Sequence, residues 1–286
     1  MPAGMRGREG NMKKKLLGLV ACVATLALSG ALLAGCSGDK TGGDSADGKE
    51  TLTVGFDQSY PPYGFVGDDG KFTGFDLDLA QAVCDKNGWE LKLSAIDWDA
   101  KDALLAQGNI NCIWNGFTME GREDGYTFSD PYMLNEQVIV VKAGSDISDF
   151  AGLAGKTVMT QVDSAALDVL EGDQAEVAAT FKGGAAKTIG DYNNAFMQLD
   201  SGVIDAVACD LSIAQYQIAA NPDKYVQLST PLSTEHYAVG FKKGDTELAQ
   251  KVTETLKQLD ADGTVKQLCE KYASYGISYD NWVLGK

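Results

Sequence analysis

The sequence predicts an α/β protein built as two lobes of like construction, and three observations carry that expectation. Strand-like and helix-like segments alternate from residue 51 onward, which argues for sheets with helices on their faces. Two segments, one from each half, can be laid on each other. The chain has 286 residues, and the part beyond residue 50 suits two compact domains better than one.

TLTVGFD (51–57) alternates like a strand and ends in Asp57. SYPPYGF must then turn, because Pro61 and Pro62 deny the backbone two donors. GFDLDLAQAVCDKNG reads as an amphipathic helix in which Phe75, Leu79, Ala80, Val83 and Cys84 recur at helical spacing. Asp76 and Asp78 suit its positive end, and Asn87-Gly88 closes it. A strand (LKLSAI), a helix (AKDALLAQ) closed by Gly108, and a strand (NINCIW) follow. In the second half GKTVMT reads as a strand, SAALDVLE as a helix capped by Ser164, and DYNNAFMQLDSG as a helix closed by Gly202.

The internal repeat sets LLAQGNINCIWNG (104–116) against QLDSGVIDAVACD (198–210). Leu105 falls on Leu199, Gly108 on Gly202, Ile110 on Ile204 and Asn111 on Asp205. Asn115-Gly116 and Cys209-Asp210 then emerge at equivalent strand C-terminal ends, where open α/β sheets bind ligands. One lobe offers Arg122, just past the Gly-Phe-Thr turn at 116–118, and the other offers Asp210. A cation from one side and an anion from the other are what a zwitterion needs. The bland alternatives are a surface ion pair of Arg122 with Glu120 or Asp124, and Asp210 as the N-cap of the helix that starts LSIAQYQ.

The N-terminus reads as an export signal: Arg6, Arg8 and Lys13 to Lys15 precede the apolar run LLGLVACVATLALSGALLAGC. The run approaches the roughly 20 residues of a membrane span, but Leu33-Ala34-Gly35-Cys36 resembles the lipobox at which bacterial lipoproteins are cleaved and acylated on the new N-terminal cysteine. SGDKTGGDSADGK (37–49) then reads as a flexible tether spanning roughly 20 Å. Cleavage before Cys36 removes five basic residues and Glu9 from the 24 basic and 40 acidic ones, leaving 19 against 39 and a formal net charge of −20. Such a surface repels phosphate backbones and anionic headgroups, so nucleic acid is not an expected partner and membrane attachment comes from acyl chains. Cys84, Cys112, Cys209 and Cys269 match no metal-site spacing, and free core thiols are the expected state for most of them, with one disulfide left open.

VGFDQSYPPYGF, GFDLDLA, LLAQGNIN, NGFT followed by Arg122, FSDPY and SGVIDAVACD together resemble the polar amino-acid-binding proteins (family 3) of bacterial ABC importers, from about residue 51 to 275. The resemblance implies a two-lobed periplasmic-binding-protein-like (type II) fold with two hinge strands. It implies lobes at 51–140 plus 237–286 and at 141–236, behind a signal peptide at 1–35 and a lipidated tether at 36–50. It further implies an exported protein anchored through Cys36 to the outer face of the cell membrane or facing the periplasm. Acting as a monomer without cofactor, metal or catalytic residues, it would deliver an amino acid to an ABC permease and its ATPase.

Residue by residue, Arg122 resembles the arginine that grips the ligand α-carboxylate, with Thr118, Asn115 and the backbone around Gly116 sharing the α-groups. Asp210 resembles the acceptor for the α-ammonium, while Ser164 and the amide of Ala165 open a helix whose N-terminus favours the carboxylate. Tyr60 and Trp98 correspond to aromatic walls of the side-chain pocket, and Asp57 to a position that reads the far end of the ligand. Gln161 begins the Gln161-Val162-Asp163-Ser164 stretch, where the family often has a lysine or a Gly-Thr pair. Thr118 to Arg122 spans four positions where the family usually has five, so the turn must be rebuilt around Gly121. Asp57 points to a side chain with a hydrogen-bond donor: glutamine or a basic amino acid, with cystine behind them. Two rival functions share the scaffold, a cyclohexadienyl-dehydratase-like enzyme and a ligand sensor for a separate receptor. The sole histidine, His236, excludes histidine triads and multi-histidine metal sites.

Overall fold

The structure is a computed structural model that describes residues 49–286. The expected signal segment, the lipobox with Cys36 and nearly all of the tether lie outside the described residues. No helix among those described is long and apolar enough to cross a membrane.

Two sheets organise the chain. The first runs in the order Glu90–Ala95, Thr51–Phe56, Cys112–Ile113, Gly240–Lys242, Tyr126–Phe128. The second runs Lys187–Ile189, Val158–Gln161, Ala206–Asp210, Met133–Lys142, Tyr225–Gln227, with Ser233–Tyr237 also paired to Met133–Lys142. The strands Thr51–Phe56, Glu90–Ala95 and Cys112–Ile113 are mutually parallel, as are Val158–Gln161, Lys187–Ile189 and Ala206–Asp210. Each set therefore points its C-terminal ends one way, and helices return the chain between strands. A small antiparallel sheet, Ser59–Tyr60, Gly64–Val66 and Phe72–Thr73, is inserted after the first strand.

The chain passes from the first sheet to the second at 129–132 and back at 238–239. The two crossings lie side by side, with Tyr132 N donating to Tyr237 O at 2.8 Å and Ser129 N to Val239 O at 3.0 Å. These are the two hinge strands of a type II fold.

The internal repeat is real at the level of single hydrogen bonds. Helices Lys101–Ala106 and Tyr192–Ser201 end near glycines in the left-handed region, Gly108 at φ 76° and Gly202 at φ 75°. Asn111 N donates to Thr53 O at 2.8 Å while its side-chain oxygen accepts from Thr53 N at 2.7 Å. Asp205 does the same with Thr157, at 2.9 and 2.7 Å. In both lobes a polar side chain at the strand entrance replaces a ladder bond, which explains why NINCIW forms a strand only at Cys112–Ile113. Leu105, Leu199, Ile110 and Ile204 are all buried.

All four described cysteines are buried and free, so no disulfide links them. Burial pushes each thiol up, to about 12 for Cys84 and Cys269, which leaves them protonated and unreactive at neutral pH.

Truncating Asn111 or Asp205 to Ala orphans one partly buried backbone donor in one lobe. Each variant should lose about 1–3 kcal/mol of unfolding free energy in urea denaturation. Matching losses are expected, since the two residues do the same work in the two halves.

Candidate functional site

At the C-terminal ends of the parallel strands the two lobes face each other across a narrow cleft. Tyr60, Trp98, Gly116, Thr118, Arg122, Gln161, Ser164, Ala165 and Asp210 line it. The structure thus brings together nine of the eleven residues expected at a ligand site. Asp57 and Asn115 are buried just outside the lining.

Arg122 enters through the shortened turn. Its amide donates to Met119 O at 3.1 Å, and Gly121, at φ 78°, supplies the left-handed residue that a turn of this length requires. The guanidinium lies 5.0 Å from the Phe117 ring centroid, and the side chain is only 11% exposed. Nη2 donates to the Asp163 carbonyl at 3.2 Å and pairs with Asp168 at 2.8 Å. The ion pair therefore crosses the cleft instead of joining Arg122 to Glu120 or Asp124. Glu120 is occupied elsewhere, 2.7 Å from the His236 ring nitrogen and accepting from the His236 amide.

The Asp163 carbonyl also accepts from Trp98 Nε1 at 3.1 Å, and its carboxylate lies 3.4 Å from Lys101 Nζ. Asp163 is the one non-glycine described with positive φ, at 53°. Three side chains of one lobe thus hold a strained residue of the other, which closes the cleft walls on each other.

The opposite charge is held differently. Asp210 is 3% exposed, and its Oδ1 accepts from Asn135 Nδ2 at 2.9 Å, Gln137 Nε2 at 2.7 Å and Tyr237 Oη at 2.8 Å. Its hydrogen-bond partners among the described residues are all neutral. Burial raises its pKa, and these donors oppose the rise. Asp210 does stand at the N-cap position of helix Leu211–Ala220, but its side chain makes no capping bond there.

The donors sit where the sheet register places them. Asp210 pairs with Gln137 across one strand boundary, and Glu235 pairs with Asn135 across the next. Same-face neighbours in such pairs have side chains close enough to interact. Glu235 Oε1 accepts from Thr118 Oγ1 at 2.7 Å, Asn135 Nδ2 at 2.8 Å and Gln137 Nε2 at 2.7 Å. Burial pushes Glu235 up to about 7, and the nearby Asp210 charge adds to the rise.

Gly116 sits at φ 59°, where a side chain would meet the rings of Tyr237 and Tyr60 at 3.1–3.2 Å. Its amide is not free for a ligand, because it donates to Asp76 Oδ2 at 2.6 Å. Asp76 also accepts from Tyr132 Oη and is wholly buried; burial pushes it up to about 7. Asp57 accepts from Ser59 N and from Gln161 Nε2, both at 2.7 Å, so it anchors Gln161 across the cleft. Both polar side-chain atoms of Asn115 are buried without a partner among the described residues. Ser164 accepts from Leu167 N at 3.2 Å, the capping bond expected of it.

Asn135, Gln137, Glu235 and Tyr237 escape a search for motifs, yet they leave a pattern. MLNEQVIVVK and STEHY each place polar residues two apart on one face of a strand. Buried polar side chains at strand period need partners, and here they partner one another.

The chain belongs to the bacterial extracellular solute-binding proteins, family 3, whose family model matches residues 52–275. It is 29% identical to the L-cystine-binding protein TcyJ of Escherichia coli (strain K12), over 78% of this chain and 82% of that protein. It is 28% identical to the arginine-binding extracellular protein ArtP of Bacillus subtilis (strain 168), over 91% of this chain and 98% of that one. An ABC uptake transporter substrate-binding protein from Streptococcus pneumoniae, solved with bound histidine, superposes with a TM-score of 0.76 at 34% identity, covering 80% of this chain and 94% of that one.

Asp76 makes stability depend on pH in a definite direction. Its folded-state pKa of about 7 exceeds the reference value of 3.8, so its contribution is full below about 3.8 and is lost as pH rises through 7. Asp76→Asn removes that term. Between pH 4 and pH 8 the unfolding free energy of the parent protein should fall relative to the variant, as measured by urea denaturation.

Proposed function

We propose that the protein is a lipid-anchored, extracytoplasmic receptor that binds an amino acid between its lobes and hands it to an ABC permease. The observation that carries the reading is the pairing of Arg122 and Asp210, one from each lobe, on the lining of one cleft. Arg122 takes the α-carboxylate, for which Asp168 already marks an anion position beside the guanidinium. Asp210, whose hydrogen-bond partners are neutral, takes the α-ammonium. Tyr60, Trp98 and Gln161, with Asp57 behind it, surround the ligand side chain. Ser164, Ala165 and Thr118 complete the α-group contacts.

Relatives named for cystine and arginine, and a solved structure holding histidine, share the α-groups and differ in the side chain. That spread supports the assignment of the charged pair to the common part of the ligand. Four charge-assisted hydrogen bonds contribute about 6–12 kcal/mol, and a micromolar site needs about 8 kcal/mol. The α-groups can supply most of the affinity, leaving the side-chain wall to discriminate. A glutamine or basic side chain suits Gln161 and Asp57, with cystine as the next candidate.

Export and anchoring are supported by the basic and apolar N-terminus and by the resemblance of Leu33-Ala34-Gly35-Cys36 to a lipobox. The acidic surface leaves acyl chains as the means of holding the membrane.

A thermal-shift screen of the amino acids, followed by calorimetry on the binders, tests the reading. Arg122→Ala and Asp210→Asn should each weaken every binder by at least about 100-fold, since each removes roughly two charge-assisted bonds. Unchanged affinity in either variant rejects the assignment. In cells, Cys36→Ser should move the protein from the membrane fraction to the soluble one, and retention in the membrane would exclude the lipid anchor.

A further inference from the structure

The amine end of the cleft holds a second carboxylate, Glu235, with its own donors but no cation. We propose that Asp210 and Glu235 act as one unit that shares a proton and releases it to solvent when an ammonium group binds at Asp210, with Glu235 as the positioning residue. The proposal rests on the amino-acid-binding reading and deepens it, because it assigns the charge balance of that site.

Geometry makes the two groups a unit. Asp210 Oδ1 and Glu235 Oε1 each lie 2.7 Å from Gln137 Nε2, so they are at most twice that, 5.4 Å, apart. Asn135 Nδ2 bridges the same two oxygens at 2.9 and 2.8 Å. Four amide hydrogens serve two carboxylates, and none of them brings a charge. Like charges held this close, away from water, favour keeping one proton between them.

A separate observation shows the cluster lacking a donor. Gln137 is 0% exposed and its carbonyl oxygen has no hydrogen-bond partner among the described residues. The cluster thus holds one more acceptor than its donors serve.

The titratable groups facing the pair do not supply the missing charge. Tyr60, Tyr63, Tyr192 and Tyr237 all lie close enough to Asp210 to feel its charge, and Cys209 precedes it. Burial raises all five, so they stay neutral across the physiological range. Arg122 lines the same cleft but is engaged by Asp163 and Asp168. His236, next to Glu235, pairs with Glu120.

Glu235 also sets the polarity of the cleft. Thr118 Oγ1 spends its hydrogen on Glu235 at 2.7 Å, so only lone pairs remain to face a ligand. Thr118 is then an acceptor for the ammonium and not a donor to the carboxylate, and the two ends of a zwitterion are told apart.

The test is calorimetry of the full chain with L-arginine, at pH 5, 6, 7 and 8, in two buffers of different ionisation heat. L-glutamine, L-histidine and L-cystine follow in turn if L-arginine gives no heat. An ionised pair binds the ammonium better, so affinity should rise with pH by up to about tenfold per unit below pH 7 and level off above. Proton release should be visible as a buffer-dependent heat. Glu235→Gln keeps the shape and an acceptor for Thr118, and should bind with neither the pH slope nor the proton release. Should that variant fail to fold, a carboxyl-carbon NMR titration of the parent protein serves. It should show one proton retained near neutral pH and lost on adding the amino acid. Binding that is flat with pH and free of proton release overturns the proposal while leaving the receptor reading intact. Proton release undiminished in Glu235→Gln does the same. Absence of binding by every amino acid in the thermal-shift screen overturns the receptor reading, and this proposal with it.

Discussion

A carboxylate buried beside neutral donors is the constraint around which the cleft is built. Asp210 could reach only so far into a dry interior because two strands, Met133–Lys142 and Ser233–Tyr237, deliver an amide or a hydroxyl to it at register positions. Leaving such a group without donors would cost several kcal/mol. Its donors hold it in place without neutralising it, which leaves the charge available to a ligand. The strands that supply them adjoin the hinge crossings, so the anion site and the hinge share the same backbone.

The cation end follows a different logic. Arg122 is tied to the opposite lobe through the Asp163 carbonyl and Asp168, and Trp98 and Lys101 hold the same Asp163. These contacts join the walls of the cleft, and the Asp210 cluster, built mostly on strands of one lobe, reaches the other through Thr118 Oγ1 on Glu235. On the proposed function, a ligand carboxylate arriving at Arg122 competes with Asp168 for the guanidinium.

Much of this was legible in the sequence, for physical reasons that differ by element. Helix Phe75–Asn87 and helix Tyr192–Ser201 announced themselves by apolar period and a closing glycine, and the repeat of Asn111 and Asp205 was readable because each does a job only a polar side chain can do at a strand entrance. Of the nine cleft residues, Gly116, Arg122 and Asp210 were readable from the strand ends of the repeat, and Tyr60, Trp98, Thr118, Gln161, Ser164 and Ala165 only from the family resemblance. The partners of those residues were not. Glu235 lies 98–100 positions from Asn135 and Gln137, and the three acquire a role only through cross-strand register. Asp168 reaches Arg122 across 46 positions, and Asp76, expected to serve its helix terminus, instead holds the Gly116 amide. No local pattern encodes such pairings; the tertiary fold creates them.

The central claim, that opposite charges from two lobes grip the two ends of one zwitterion, is most directly tested by a crystal structure of the protein with L-arginine or L-glutamine bound. The account predicts the ligand ammonium within hydrogen-bond distance of Asp210 and the ligand carboxylate on the Arg122 guanidinium. An amine lodged away from Asp210, or a guanidinium still engaged by Asp168 alone while the carboxylate sits elsewhere, would contradict it.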